Sequence, residues 1–183
     1  YKIKLIVGEE EFIRELEVVK DPNSEASLEE LTEQVAFSLQ LRDAMNLAVT
    51  MINDIETIRA ELNEIIPKLE RSGDRKKSQE LRTVAETIIA SLYDIQLTGA
   101  REDAFRSPIK LYGRLSALAS DIGAFGADFK PTDQQREVYA IFNKRLKDVD
   151  AKFKKFIDVD IKKLNIQLKK SELQIKNNKK IKS

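Results

Sequence analysis

Four aspartates in the second half of the chain have the residue type and spacing that could do chemistry. They are Asp148, Asp150, Asp158 and Asp160. Clustered carboxylates bind divalent cations, and two carboxylates that face each other across a cleft can cleave glycosides. In a helix, however, residues two positions apart point to different sides, and no glycine-bearing calcium loop surrounds these aspartates. We therefore predict that they are exposed helix charges and that they include neither a catalytic residue nor a metal ligand.

The composition excludes several classes of active site. Among its 183 residues the chain has no histidine and no cysteine. This excludes Ser-His-Asp and Cys-His nucleophiles, disulfides, and structural zinc sites built from thiolate or imidazole ligands. It also excludes the Glu-x-x-His di-metal sites that four-helix bundles can hold. We accordingly predict no catalytic, cofactor-binding or metal-binding residue and no cofactor, and we expect that this chain is not an enzyme.

The lysine-rich stretch from Lys162 to Ser183 could bind an anionic polymer or a membrane surface. Its eight lysines and single glutamate give it a net charge of +7, whereas residues 1–161 carry −6. It has no aromatic residue for base stacking and no arginine for bidentate phosphate recognition. We therefore expect no nucleic-acid partner, and we predict that residues 171–183 form a disordered, lysine-rich tail.

Aromatic residues and glycines also have structural interpretations. Seven aromatic residues recur at helical spacing and are predicted to be core or inter-helix contacts: Tyr93, Tyr112, Phe125, Phe129, Phe142, Phe153 and Phe156. Gly123 and Gly126 are predicted to ease a helix end, because no strand precedes them as a phosphate-binding loop requires. Surfaces of the fold are therefore the remaining candidates for function.

The longest predicted element is a helix from Ser27 to about Arg71. Its apolar residues recur at steps that are mostly of three or four: Leu28, Leu31, Val35, Leu41, Met45, Ala48, Ile52, Ile55, Leu62, Ile66 and Leu69. Ser27 and Glu30 fit a capping box that begins the helix. Pro67 is expected to bend or end it, and the run 72–74 to stop it. Such a helix would span roughly 64 Å, so the other helices must pack along it.

Three further helices are predicted. The second runs from about Arg75 to Leu97, and Gly99 follows it in the usual terminating place. The third begins at Ser107–Pro108, a capping residue followed by proline. The fourth begins at Thr132 with a capping box to Gln135 and is as long as the first. The apolar face of the second helix carries Leu81, Val84, Ile88, Leu92 and Ile95. That of the third carries Leu111, Leu115, Leu118, Ile122 and Phe125. That of the fourth carries Val138, Phe142, Leu146, Val149, Phe153, Phe156, Ile161, Leu164 and Leu168. We predict a mainly α fold, an antiparallel four-helix bundle with two long helices.

Residues 1–20 have a different pattern. Apolar residues alternate with other residues before and after a turn at residues 8–10, with Phe12, Leu16 and Val18 in the second strand, which predicts a β-hairpin. Two strands alone are marginal in water, so the hairpin either packs on the helices or is the end of an absent upstream β-domain. We favour the second, because the sequence opens within a strand. The predicted division is a hairpin over 1–20, a linker over 21–26, a helical bundle over 27–170 and a tail over 171–183.

Several separated segments resemble one known family. They are Val18-Val19-Lys20-Asp21-Pro22, Leu41-Arg42-Asp43, the Pro131-Thr132 helix start and Asp160-x-x-x-Leu164-Asn165. They resemble the C-terminal region that follows the β-propeller in bacterial sortilin-like, BNR-repeat proteins, often labelled glycosyl hydrolases; the residue after Asp-Pro, often arginine there, is Asn23 here. The resemblance implies that residues 1–20 end a β-sandwich-like domain, that any catalytic residue lies upstream, and that the protein is exported to the periplasm or beyond.

The predicted function is that of a non-catalytic helical structural or interaction module at the C-terminus of a larger exported bacterial β-propeller protein. Its expected partners are the upstream domains of the same polypeptide and a further protein. No apolar run approaches the ~20 residues of a transmembrane helix. Two alternatives remain open: a free-standing, self-associating helical adaptor, and a binder of anionic polymer or lipid through the tail.

Overall fold

The computed structural model describes residues 1–94, 107–123, 128–169 and 173–176. In these ranges two strands, β1 (Lys2–Val7) and β2 (Glu10–Glu15), precede the helices. The helices are α1 (Leu28–Ile65), α2 (Ser72–Leu92), α3 (Leu111–Gly123), α4 (Asp133–Lys155), a π-helical segment (Phe156–Ile161) and α5 (Lys162–Leu168). The last three follow one another without a break and together are called the last helix. The predicted fold class, a helical bundle preceded by a hairpin, is confirmed.

The first helix is the central element, since α2, α3 and α4 all pack against it. Its buried residues are Phe37, Leu41, Ala44, Ala48, Met51, Ile55, Ile58, Leu62 and Ile65. They are separated alternately by four and three residues. This is the heptad repeat that keeps one seam of a helix against its neighbours over many turns. The seam carries the bundle core from Phe37 to the end of α1 at Ile65.

Four residues of the predicted apolar helix faces are exposed instead, and each lies one position from a heptad seam. Leu28 and Val35 are 70% and 58% exposed. Continuing the alternating steps of three and four from Phe37 toward the N-terminus leads to positions 34 and 27, so Val35 and Leu28 each lie one position away from the seam. Val84 and Val138 are 40% and 38% exposed, and the residues that follow them, Ala85 and Tyr139, contact the core instead. One residue is a rotation of about 100° around a helix, which is enough to turn a side chain from the core to solvent.

Both predicted capping boxes are present. The Ser27 Oγ accepts from the Glu30 N–H at 3.1 Å, and a Glu30 carboxylate oxygen accepts from the Ser27 N–H at 2.9 Å. Thr132 and Gln135 make the same reciprocal bonds at 3.2 and 2.9 Å. These bonds satisfy backbone donors that the helix itself leaves without partners, which is why both helices begin where the sequence predicts.

The end of α1 differs from the prediction. The helix ends at Ile65, and Pro67 lies in a 3₁₀ turn (Ile66–Lys68), so the proline separates two helices. The run 72–74, predicted to stop the first helix, is instead the first turn of α2, where the Arg75 N–H donates to the Arg71 carbonyl at 3.1 Å. The Arg75 guanidinium also donates to the Leu69 carbonyl at 2.6 Å, a contact that holds the turn against the new helix.

Two other helix boundaries also move. The third helix begins at Leu111 and not at Pro108, because the Ser107 hydroxyl donates to the Asp94 carboxylate and caps no helix. The second ends at Leu92, five residues earlier than predicted, where Tyr93 turns to extended backbone. Gly99, Ile95, Phe125 and Gly126, which also entered these predictions, lie outside the described residues.

The last helix contains a shift in its apolar pattern. Two sets of buried or half-buried residues follow heptad steps along it. The first set is Phe142, Leu146, Val149, Phe153 and Phe156. The second set is Ile157, Ile161, Leu164 and Leu168, and each of its members lies one position beyond the place that the steps of the first set would reach. A π-helical turn takes one more residue than an α-helical one in the same length. The segment Phe156–Ile161 therefore absorbs the additional residue and keeps both sets on the core side. From Asp133 to Leu168 the last helix is nearly as long as α1, as predicted.

Candidate interaction surfaces

The hairpin carries its apolar side chains mainly on one face. β1 and β2 pair antiparallel with Leu5 opposite Phe12, and Gly8 occupies a two-residue turn with φ of +65°. Residues directly opposite each other share a face, and β-strand side chains alternate between faces. Ile3, Leu5, Val7 and Phe12 therefore form a common surface, the apolar hairpin face. The turn is shorter than the predicted 8–10, since Glu10 already pairs with Val7.

The apolar hairpin face is open. Leu5 and Phe12 are 58% and 47% exposed, and within the described residues neither strand contacts a helix. The opposite face is largely charged and holds a Lys4–Glu11 ion pair at 2.5 Å. Because the sheet has two strands, each also presents an outer edge of unpaired backbone groups. Of the two placements considered from the sequence, packing of the hairpin on the helices is thus not seen among the described residues.

The four aspartates lie along one helix without forming a cation site. Asp150 accepts from Lys154 at 2.6 Å and Asp158 from Lys162 at 2.9 Å, both pairs being one turn apart. Asp148 and Asp158 are exposed as predicted, whereas Asp150 and Asp160 are half-buried. In the described part of the chain, no group of three acidic side chains is close enough to hold a metal ion.

The aromatic prediction is confirmed for part of its members. Phe156 is fully buried, and Tyr112, Phe142 and Phe153 pack against the core. Tyr93 and Phe129 are 38% and 39% exposed. Phe125 lies outside the described residues.

Sequence reasoning missed an aromatic contact between α1 and α4. Phe37 and Tyr139 meet edge to face with ring centroids 5.2 Å apart. Arg136 stands 5.5 Å over the Phe37 ring and pairs with Glu33 at 2.8 Å. Burial, with the nearby Asp43 charge, raises the pKa of the Tyr139 hydroxyl. The signal that could have found Phe37 is its place in the heptad seam, four residues before Leu41. This contact joins helices and offers no ligand cage.

Part of the predicted tail is anchored to the bundle. Ile175 is only 3% exposed. Its N–H donates to the Asn165 side-chain oxygen at 2.8 Å, and the Asn165 amide donates to the Ile175 carbonyl at 3.0 Å. This pair of bonds imitates a backbone ladder, so Leu173–Lys176 has a defined position. The predicted start of the tail at residue 171 is therefore too early, and residues 177–183 lie outside the described part.

Comparison with protein-family models, curated proteins and solved structures gives no match to this chain. The resemblance to sortilin-like, BNR-repeat proteins accordingly stays a prediction. Over the described residues, no helix is both long enough and apolar enough to span a bilayer. The open apolar hairpin face is thus the feature of this fold that most directly invites a partner.

Proposed function

We propose that the chain is a non-catalytic interaction module whose hairpin docks on a β-structured domain while the helical bundle braces that domain or presents it to a further protein. The observation that carries this proposal is the open apolar hairpin face. An isolated two-stranded hairpin is marginally stable in water. A partner that covers Leu5 and Phe12 would add about 25 cal/mol for each Å² of apolar surface removed from water.

The backbone of the hairpin favours a β-structured partner. Its outer edges can pair with a further strand, as in β-strand addition, where main-chain hydrogen bonds provide affinity and alternate side chains provide specificity. The family resemblance supports upstream domains of the same polypeptide as this partner, in a larger exported bacterial β-propeller protein. The absence of histidine and cysteine from the sequence supports the non-catalytic part of the proposal.

Self-association is a second candidate, favoured by a separate observation. Leu28, Val35 and Leu39 are 70%, 58% and 43% exposed on α1. They are spaced by seven and four residues, so they lie along one outward side of the helix. Two copies of the chain could pack these sides together as a self-associating adaptor. The lysine-rich tail as a binder of anionic polymer or lipid stays an untested alternative.

The experiment compares the full chain with residues 21–183 by sedimentation and by thermal unfolding followed by circular dichroism. We expect the shortened chain to be monomeric and to melt cooperatively at the same midpoint, because the hairpin makes no helix contact in the part of the chain that the structure describes. A shortened chain that aggregates or melts gradually would place the hairpin in the helical core and refute the proposal. A stable dimer of the shortened chain would favour the adaptor.

A second variant pair tests the apolar hairpin face in the full chain. Leu5→Lys with Phe12→Lys should abolish most of the fluorescence of a bound naphthalene-sulfonate dye. Ile6→Lys with Ile13→Lys is the matched control on the charged face, since Ile6 and Ile13 are 58% and 54% exposed. Equal dye loss in both variants would contradict a specific apolar face.

A further inference from the structure

A groove between the start of α3 and the second half of α4 gathers positive charge. Lys110 and Arg114 line it from the α3 side, and Arg145 and Lys152 from α4, around a cavity of about 380 Å³. Asp148 is the acidic residue in the lining, so the five charged side chains carry a net +3. None of the four cations forms an ion pair with a described residue.

The groove has an apolar continuation. A neighbouring cavity of about 590 Å³ shares Ile109 and Arg114 with the first and is lined further along by Leu118, Val138 and Phe142. Its one acidic lining residue, Asp121, already accepts a hydrogen bond from the Gln135 side-chain amide at 2.9 Å. The first cavity lies between the start of α3 and the second half of α4, where Arg145 and Lys152 line it. The second cavity lies between the later part of α3 and the first half of α4, where Val138 and Phe142 line it. The two helices are therefore antiparallel here, and the cavities follow one another between them. Val138 to Lys152 covers roughly 21 Å of helix.

Arg114 joins the two parts of this groove. Its Nε donates to the Ile109 carbonyl at 2.9 Å, which fixes one side of the guanidinium at the junction. The terminal nitrogens keep N–H donors for a ligand, in the planar fork that matches a carboxylate. An acidic group bound there would have the three other cations on one side and the mainly apolar second cavity on the other.

We infer that this groove docks an acidic amphipathic peptide segment of a partner protein. The inference rests on the proposed role as an interaction module but uses a surface separate from the hairpin. Charge complementarity selects an acidic ligand for the end with Arg145 and Lys152. The length selects a peptide, because a small anion would cover one end only, whereas roughly four helical turns match the 21 Å. The apolar end would take the hydrophobic side chains of that segment.

A direct test uses a synthetic 16-residue peptide labelled with fluorescein, with leucine and phenylalanine at helical spacing in its first half and glutamate in its second half. Binding to the full chain is followed by fluorescence anisotropy at 50 and 300 mM salt. We expect saturable binding that weakens about fivefold or more at the higher salt, because exposed charges are screened. Arg145→Glu with Lys152→Glu should weaken it at least about tenfold, and Val138→Ser about threefold.

Matched control variants make the same change in charge, or remove the same type of side chain, at positions outside the groove. Lys147→Glu with Lys163→Glu makes the same charge change on the last helix at exposed positions that do not line the groove. Val84→Ser removes a valine of similar exposure on α2. Both should bind within twofold of the parent, and a peptide of scrambled order should bind more weakly than the patterned one. Circular dichroism melts verify that each variant folds.

The outcomes separate this inference from the proposed function. No binding, or equal losses in groove and control variants, overturns the groove as a docking site. Preference for phosphatidylglycerol vesicles over the peptide overturns the peptide in favour of a lipid. Residues 21–183 should bind the peptide as the full chain does. The hairpin tests do not depend on the peptide, so either proposal can fail while the other stands.

Discussion

At Glu61, on α1, the structure brings a carboxylate against the anchored segment Leu173–Lys176. Burial raises the pKa of this carboxyl above its ordinary value of 4.5, against the lowering effect of the Lys176 backbone N–H and charge. Its Oε2 is buried with no hydrogen-bond partner among the described residues. A raised native pKa means that the folded state holds the proton more tightly than the unfolded chain does. The stability from this group is therefore complete below pH 4.5 and is lost as the pH rises through the native pKa.

Glu61→Gln should therefore stabilise the protein at pH 7 and leave its stability at pH 4 almost unchanged. The gain should be under ~1 kcal/mol, because solvent screens a partly exposed carboxylate. Urea unfolding at the two pH values measures it, with the exposed Glu70→Gln as control. An equal change at both pH values would show that the proton is not the cause.

Ser78 is a buried hydroxyl on α2, in line with the buried Leu81 and Ala85. It is 0% exposed, and its Oγ has no hydrogen-bond partner among the described residues. Ser78→Ala should stabilise the protein by about 1 kcal/mol, because it removes an unsatisfied buried group and improves helix propensity. Chemical unfolding measures the gain, and Ser91→Ala, at an exposed position, should stay within ~0.5 kcal/mol of the parent. Loss of stability in Ser78→Ala would reveal a partner for the hydroxyl.

At the scale of elements, the sequence predicts a helix start or end when the residues that form it are close together in the chain. It does not do so when their partners are distant. The Ser27 and Thr132 caps depend on residues three positions away, so the sequence contains both halves of each signal. Ser107 was misread as a cap because its partner, Asp94, is thirteen residues away. The run 72–74 has the composition of a helix end, yet the earlier break at Pro67 makes it a beginning.

The π-helical segment can be tested by deletion. Removing Val159 would place Ile161, Leu164 and Leu168 in one uninterrupted heptad pattern with Phe156, so the last helix could become wholly α-helical. We expect this variant to fold with stability within ~1 kcal/mol of the parent, since the core side is kept. Deletion of Lys147 should instead cost several kcal/mol, about the loss of one or two core leucines, because it rotates the following seam by about 100°.

Thermal unfolding with circular dichroism distinguishes the two deletions. Similar melting temperatures for the Val159 and Lys147 deletions would contradict the assignment of the π turn to an additional residue. A severe loss for the Val159 deletion alone would instead indicate that the π turn itself is required by the packing of α2 on this helix.

For the whole molecule, the hairpin and the bundle should differ in stability, because no contact between strands and helices couples them in the described residues. In native-state hydrogen exchange, amides of β1 and β2 should exchange at nearly unprotected rates. Amides of the α1 seam, such as those of Leu41 and Ile55, should exchange only on global unfolding. Equal protection of Leu5 and Ile55 would contradict this separation.

Whole-molecule features were the least predictable from sequence. Alternation of apolar residues was sufficient to find the hairpin and its apolar side, because it is a local pattern. The groove was not found, since Lys110 and Arg145 are 35 residues apart and meet only when α3 packs on α4. The exact positions of the buried seams, one residue away from some predicted positions, were missed for a related reason. Which of two adjacent residues on a helix is buried depends on the neighbouring helices and not on that helix alone.

The hairpin also determines how the chain would respond to mechanical tension. Tyr1 and Leu16 bond to each other at the open end of the ladder, each N–H donating to the carbonyl of the other at 2.8 Å. A pull applied between Tyr1 and the helices would therefore open the ladder one pair at a time, in the manner of a zipper. The chain from Tyr1 to Leu16, which are fifteen positions apart, would extend to about 50 Å at a force too low to unfold α1. An undocked hairpin would thus act as a weak, reversible spring, and a partner strand paired along its edge would stiffen it.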